Sequence, residues 1–133
     1  MREYVRSQTA TLLRRLALEI NRAATKGDPD AVHDLRVAIR RLSRCLRAFA
    51  QFYPGNSWKK MRRRLAGLMD ACGAVRDRDI AIELVEKAGL PPESPLIRRL
   101  ENERAGLERE LVAELRRWKG SAVSVKWKSQ LGL

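Results

Sequence analysis

Residues 28–49 read DPDAVHDLRVAIRRLSRCLRAF, and this stretch carries the strongest structural signal in the chain. An aspartate followed by proline favours a helix start, because the carboxylate caps free amides and proline has no amide hydrogen to leave unpaired. After this start, apolar residues recur at intervals of three and four. They are Val32, Leu35, Ile39, Leu42, Leu46 and Phe49. The spacing predicts an amphipathic helix with one face packed on a core.

Turn residues divide the rest of the chain into four more helical segments. We expect helices over residues 2–25, 58–73, 77–89 and 94–119, with the turn at 54–57 ending the second helix. Gly27 is expected to close the first helix, since glycine readily adopts the left-handed conformation. Gly73 is expected to end the third helix, and Asp77 to cap the fourth. The apolar positions of that fourth helix are Ile80, Leu84 and Ala88.

Short connections between amphipathic helices predict an all-α fold, an antiparallel bundle of four to five helices. No segment before Gly120 alternates with a period of two, which argues against a sheet. The 133 residues suit a single domain, and we assign the bundle to residues 1–119. Residues 120–133 form a C-terminal tail in which Ala122–Trp127 has strand-like composition. An extended segment, a helix formed on packing and an interaction segment all remain open for this tail.

The net charge of +12 is concentrated in one part of the chain. Twelve basic and three acidic residues lie between Val32 and Arg78, which gives this region a net +9. A compact domain with such an excess repels itself, and an anionic partner relieves the repulsion. The distribution therefore favours a polyanion as the partner.

One face of the second helix carries a row of basic side chains. At about 100° per residue, five of them fall within one arc, away from the leucine seam, over about 21 Å. This basic ridge consists of His33, Arg36, Arg40, Arg44 and Arg47. The planar guanidinium of arginine binds phosphate oxygens in a bidentate manner and stays charged at physiological pH. Arginines one turn apart suit a ligand with a repeating charge, which indicates a polymer.

Further basic residues are candidates for the same surface. They are Arg41 on the second helix, Lys59, Lys60 and Arg63 on the third, and Arg76 and Arg78 near the start of the fourth. Arg76 and Arg78 alternate with Asp77 and Asp79, so they either pair with these carboxylates or contact the anion. His33 is either a structural residue or a donor to the same anion.

Metal, catalytic and membrane functions are not expected. One histidine and two distant cysteines do not make a metal ligand set, and no cofactor is expected. The acidic residues near the ridge, Asp34, Asp70 and Asp77, are too scattered to hold the metal that phosphoanhydride chemistry needs, so we expect no enzyme. No apolar run is long enough for a membrane helix. Cys45 and Cys72 are expected to be buried and reduced, as is typical of proteins in the reducing cytoplasm, so a cytoplasmic location is expected.

Nucleic acid is the alternative ligand, because the charge alone permits it. Proteins that read bases add Asn or Gln beside Arg, and single-strand binders add stacking aromatics. The basic ridge has neither, so nucleic acid is the second choice.

Two stretches resemble the CHAD family, an all-helical family named for its histidine. Residues 32–49, VHDLRVAIRRLSRCLRAF, are similar to its histidine–arginine helix, and residues 72–80, CGAVRDRDI, to its glycine-then-Arg-Asp-x-Asp segment. The resemblance implies a helical bundle that binds inorganic polyphosphate and associates with polyphosphate granules. Position by position it implies His33, Arg36, Arg40, Arg44, Arg76 and Asp77, together with Lys59 and Arg63. Family members usually contain two such bundles, and this chain has length for one half, which a homodimer could complete.

Overall fold

The computed structural model describes residues 1–120 and 123–133, and this part of the chain is helical throughout. Five α-helices are present in it: α1 (Arg2–Thr25), α2 (Pro29–Ala48), α3 (Ser57–Lys87), α4 (Pro95–Gly120) and α5 (Val123–Gln130). A 3₁₀ turn at Ala50–Phe52 follows α2. The described ranges contain no strand, which confirms the all-α prediction.

The first four helices form a closed ring in which each contacts the next along the chain and α4 contacts α1. The leucine seam of α2 points into this ring, as predicted. Leu35, Leu42 and Leu46 are fully buried, and Ile39 is 2% exposed. Because this face is sequestered in the core, the basic ridge is left at the surface.

The start of α2 follows the predicted capping chemistry. The Asp28 carboxylate accepts a hydrogen bond from the Ala31 amide at 2.8 Å, and Pro29 occupies the first turn. Gly27 differs from the prediction, since it is not among the glycines with positive φ. A side chain at Gly27 would instead approach the Glu108 side chain of α4 to 3.0 Å, so Gly27 lies close against α4.

The predicted break between a third and a fourth helix is wrong, because α3 runs unbroken for 31 residues. Gly73 lies inside this helix and Asp77 does not cap a new one. A glycine costs a helix interior about 1 kcal/mol relative to alanine. The apolar spacing Leu68, Cys72, Val75 continues through this point with all three side chains buried, and this packing outweighs the local cost.

The C-terminal tail forms a helix over residues 123–130 that packs on α1 and α4. Trp127 is 2% exposed and meets Trp118 edge to face, with 5.5 Å between ring centroids. The Arg64 guanidinium lies 4.5 Å from the centroid of the Trp118 ring. Of the strand-like stretch, Ala122 lies outside the described residues. The described remainder is helical, with Val123 and Trp127 buried against the bundle and Val125 exposed.

Candidate functional site

A surface groove runs between α2 and α3, beside the basic ridge. It encloses about 230 Å³. Its lining residues are Ile39, Arg40, Ser43 and Arg44 from α2 and Leu65, Ala66 and Met69 from α3. Ile39 and Leu65 belong to the core, so the floor is apolar and the guanidinium groups stand at the α2 rim.

The two helices are antiparallel along this α2–α3 groove. Ser43, late in α2, contacts Arg62, early in α3, whereas Arg36, early in α2, acts electrostatically on Cys72 further along α3. The basic ridge therefore lies against α3 over most of its length. His33, Arg40 and Arg44 are exposed, and so is Arg47.

Arg36 of the basic ridge lies one turn before Arg40 on α2 and is half-buried. Its Nε atom is buried without a hydrogen-bond partner. Burial raises the pKa of the neighbouring Cys72 thiol to about 12, and the positive charge of Arg36 opposes that shift. An unsatisfied donor of this kind is costly in a folded protein.

The basic ridge has no carboxylate partner among the described residues. Asp34, the acidic residue beside it, bonds instead to Arg22 of α1, with 2.5 Å between Oδ2 and the guanidinium nitrogen. The basic members of the ion pairs in the described part of the chain are Arg15, Arg22, Arg78, Lys87, Arg99, Arg104 and Arg117. None of them belongs to the ridge, so its guanidinium groups keep their hydrogen-bonding capacity for a ligand.

From α3, Arg62 contacts α2 beside the groove, and helical spacing places Arg76 on the same face of α3. The Arg62 Nε atom donates to the Ser43 hydroxyl at 3.2 Å. Arg76 is half-buried and lies seven residues beyond Met69 on the same helical face. Sequence reasoning included Arg76 but left Arg62 out of the site. The signal it missed is the seven-residue spacing of Arg62, Met69 and Arg76, which becomes informative only if α3 is one helix.

Other predicted residues are not brought to the groove. Arg78 turns towards α4, where it pairs with Glu103 at 3.3 Å. Lys60 lines a cleft beside α5 together with Arg64 and Lys126. These two positions lie on other faces of α3 than the one occupied by Arg62 and Arg76.

Three further predicted residues are exposed outside the α2–α3 groove. Arg41 lies on the same face of α2 as Asp34, seven residues away, and that face points towards α1. Lys59 and Arg63 are exposed one turn apart on α3, and the Lys59 ammonium lies 5.6 Å from the centroid of the Trp58 ring. They extend the positive surface without lining the α2–α3 groove.

Within the described ranges, no cluster of three or more His, Cys, Asp or Glu side chains has the arrangement of a metal site. No helix there has the length and apolar character needed to cross a bilayer.

Comparison with known protein families identifies a match that covers most of the chain. The family model described as CHAD domain matches residues 7–128, most of the chain. Neither the curated proteins nor the solved structures contain a significant match.

Proposed function

The chain belongs to the CHAD domain family, and from this premise we propose that it binds inorganic polyphosphate, without catalysis, in the α2–α3 groove. The CHAD domain is associated with polyphosphate binding in general and is generally a binding domain. The polymer lies along the basic ridge, with Arg36, Arg40 and Arg44 of α2 and Arg62 and Arg76 of α3 as its main contacts. His33 and Arg47 contact the polymer at the two ends of the basic ridge.

One observation carries the proposal. The eleven Lys and Arg side chains between Arg36 and Arg76 include no member of an ion pair among the described residues. Charges that served only solubility would be interspersed with carboxylates, as they are on α4. A helix surface of unpaired arginines repels itself, and that cost is offset when an anion binds.

The length of the ridge favours a polymer over a small anion. A single phosphate or triphosphate satisfies two or three guanidinium groups, whereas the ridge spans about 21 Å along α2. Each turn of the helix presents another charge at a regular interval, which matches the repeating charge of polyphosphate. Only a long polyphosphate chain can therefore contact all the basic side chains of the ridge at once.

We also propose that the protein resides in the cytoplasm at polyphosphate granules and acts as a homodimer that completes the double bundle. A fluorescent fusion should co-localise with granules, and the double substitution Arg40→Ala/Arg44→Ala should disperse it. Granule localisation that survives this substitution would mean that another surface recruits the protein.

A direct binding assay tests the main proposal. Long-chain polyphosphate, triphosphate and single-stranded RNA are compared at equal phosphate concentration and at two salt concentrations. We expect the order polyphosphate, RNA, triphosphate, with log affinity for the polymers falling linearly with log salt. Tighter binding of RNA than of polyphosphate would instead assign the groove to nucleic acid.

A further inference from the structure

The end of the α3–α4 hairpin projects beyond the rest of the bundle. Arg104 of α4 bonds both to Asp79 of α3 and to the carbonyl oxygen of Gly27, so the α1–α2 connection lies at the level of this ion pair. Residues 80–103, here called the tip, lie beyond it. Ile97 is the one fully buried residue of the tip, and it lies outside the main core cluster.

The tip displays an apolar stripe to solvent. Five apolar residues at alternating spacings of one and three cover one side of the last turns of α3 and its C-cap. They are Ile80, Ala81, Leu84, Val85 and Ala88. Leu84 is 62% exposed and Ile80 39% exposed, although the sequence pattern assigned both to the apolar face of a helix. Ala88 is exposed as well, whereas Ala81 and Val85 are half-buried. The exposed members of the stripe have no α2 to pack on, because α2 begins only at Pro29, near the level of Asp79.

The charge of the tip differs in sign from that of the rest of the protein. The tip contains three basic and five acidic residues, a net −2, whereas the remaining residues contain 25 basic and 11 acidic ones, a net +14. Two copies that approach through their α2–α3 surfaces therefore bring strong positive charge together, because residues 32–78 carry a net +9. At the tip this repulsion is absent, and Glu83 and Lys87 already form a mixed pair at 3.4 Å beside the stripe.

We propose that the apolar stripe of the tip is the surface on which a second copy of this chain docks. The inference rests on the homodimer of the proposed function but not on its ligand. A twofold axis near Leu84 sets the two α3 helices antiparallel, with Leu84 meeting its own counterpart. Ile80 then lies opposite Ala88 of the partner subunit, so a large side chain meets a small one along the contact. The α2–α3 groove of each copy remains open.

The deciding variant is Leu84→Glu, and its matched control is Leu18→Glu. Leu18 is also 62% exposed, but it stands alone on α1 between Arg14 and Arg22. Size-exclusion chromatography with light scattering on the full chain should show a dimer for the wild type and for Leu18→Glu. Leu84→Glu should raise the concentration needed for dimerisation at least about tenfold, because it loses apolar burial and adds repulsion between acidic tips. Helical content by circular dichroism verifies that each variant is folded.

The possible outcomes distinguish the existence of a homodimer from the assignment of the tip as its interface. A monomeric wild type at all concentrations overturns both the homodimer and this surface. A dimer that withstands Leu84→Glu, or that Leu18→Glu weakens equally, leaves the homodimer but overturns the tip as its interface. Added salt should strengthen the dimer, since it screens repulsion between the cationic bodies while the contact itself is apolar. A dimer that dissociates in salt would point to an ionic interface instead.

Cysteine cross-linking gives a second readout. Cys45 and Cys72 are buried, so a thiol introduced by Leu84→Cys is the accessible one. Mild oxidation should yield covalent dimer for Leu84→Cys and none for Leu18→Cys, because only a residue near the twofold axis meets its own copy. Equal cross-linking of both variants would contradict the proposed axis.

Discussion

Arg62 of α3 donates from Nε to the hydroxyl oxygen of Ser43 of α2 at 3.2 Å, and this bond holds a guanidinium of α3 beside the basic ridge. Arg62→Ala should therefore weaken polyphosphate binding about as much as loss of a ridge arginine. Ser43→Ala keeps the charge but removes its anchor, so we expect a loss of about twofold to tenfold. Fluorescence anisotropy with end-labelled long-chain polyphosphate measures both. Wild-type affinity in both variants would remove Arg62 from the site.

The exposed arginines of the ridge should each contribute directly to affinity. Arg40→Ala or Arg44→Ala should cost about 1.5–3 kcal/mol for each charged hydrogen bond lost, and the slope of log affinity against log salt should become shallower. Arg109→Ala is the matched control, since Arg109 is exposed, outside any ion pair in the described chain and located on α4, across the bundle from α2. Equal losses in all three variants would indicate that net charge, and not the ridge, controls binding.

Arg36 should separate stability from binding. Its buried Nε atom has no partner in the free protein, so Arg36→Met removes an unsatisfied donor and part of the repulsion along the ridge. We expect an unchanged or higher free energy of unfolding in urea, together with weaker polyphosphate binding. A large loss of stability in Arg36→Met would show that the guanidinium supports the fold instead.

The Asp79–Arg104 pair should stabilise the hairpin without taking part in binding. Arg104 is 16% exposed and Asp79 10%, with 2.5 Å between Nε and Oδ1. Arg104→Ala leaves Asp79 largely buried without its partner, so the free energy of unfolding should fall by about 3–5 kcal/mol. Arg117→Ala, which breaks an exposed pair with Glu114, should cost about 0–1 kcal/mol. Similar costs for both would mean that solvent screens the Asp79 pair as well.

The Cys72 thiol should make stability fall at high pH. Burial raises its pKa to about 12, above the ordinary value of 9.0, so the folded state favours the protonated thiol. This contribution is fully present below pH 9 and is lost as the pH rises towards 12. Urea unfolding at several pH values should show a shallower alkaline decline in Cys72→Ala than in the wild type. Part of the decline should persist, because burial also raises the pKa of Tyr53. Parallel curves would contradict the assignment to Cys72.

The candidate site was predictable to the extent that it lies on one helix. The positions of Arg36, Arg40 and Arg44 relative to the leucine seam follow from helical geometry within α2 alone. The roles of Arg62 and Arg78 did not follow in this way, because each depends on which helix lies next to α3. Arg62 faces Ser43 of α2, whereas Arg78 faces Glu103 of α4, and no local pattern distinguishes the two neighbours.

The helical class, the start of α2 at its Asp28 cap and the alignment of the basic ridge follow from local sequence alone, because capping and periodicity depend on residues within a few turns of one another. Packing between helices, in contrast, is needed to explain three further features. These are that α3 continues through Gly73, that Asp34 pairs with Arg22, and that Leu84 is exposed although its spacing predicts a buried face. These outcomes depend on contacts between residues far apart in the chain. Burial of apolar side chains at these contacts can override a local signal that would end a helix. A helix that extends beyond its neighbouring helices leaves its apolar face exposed to solvent.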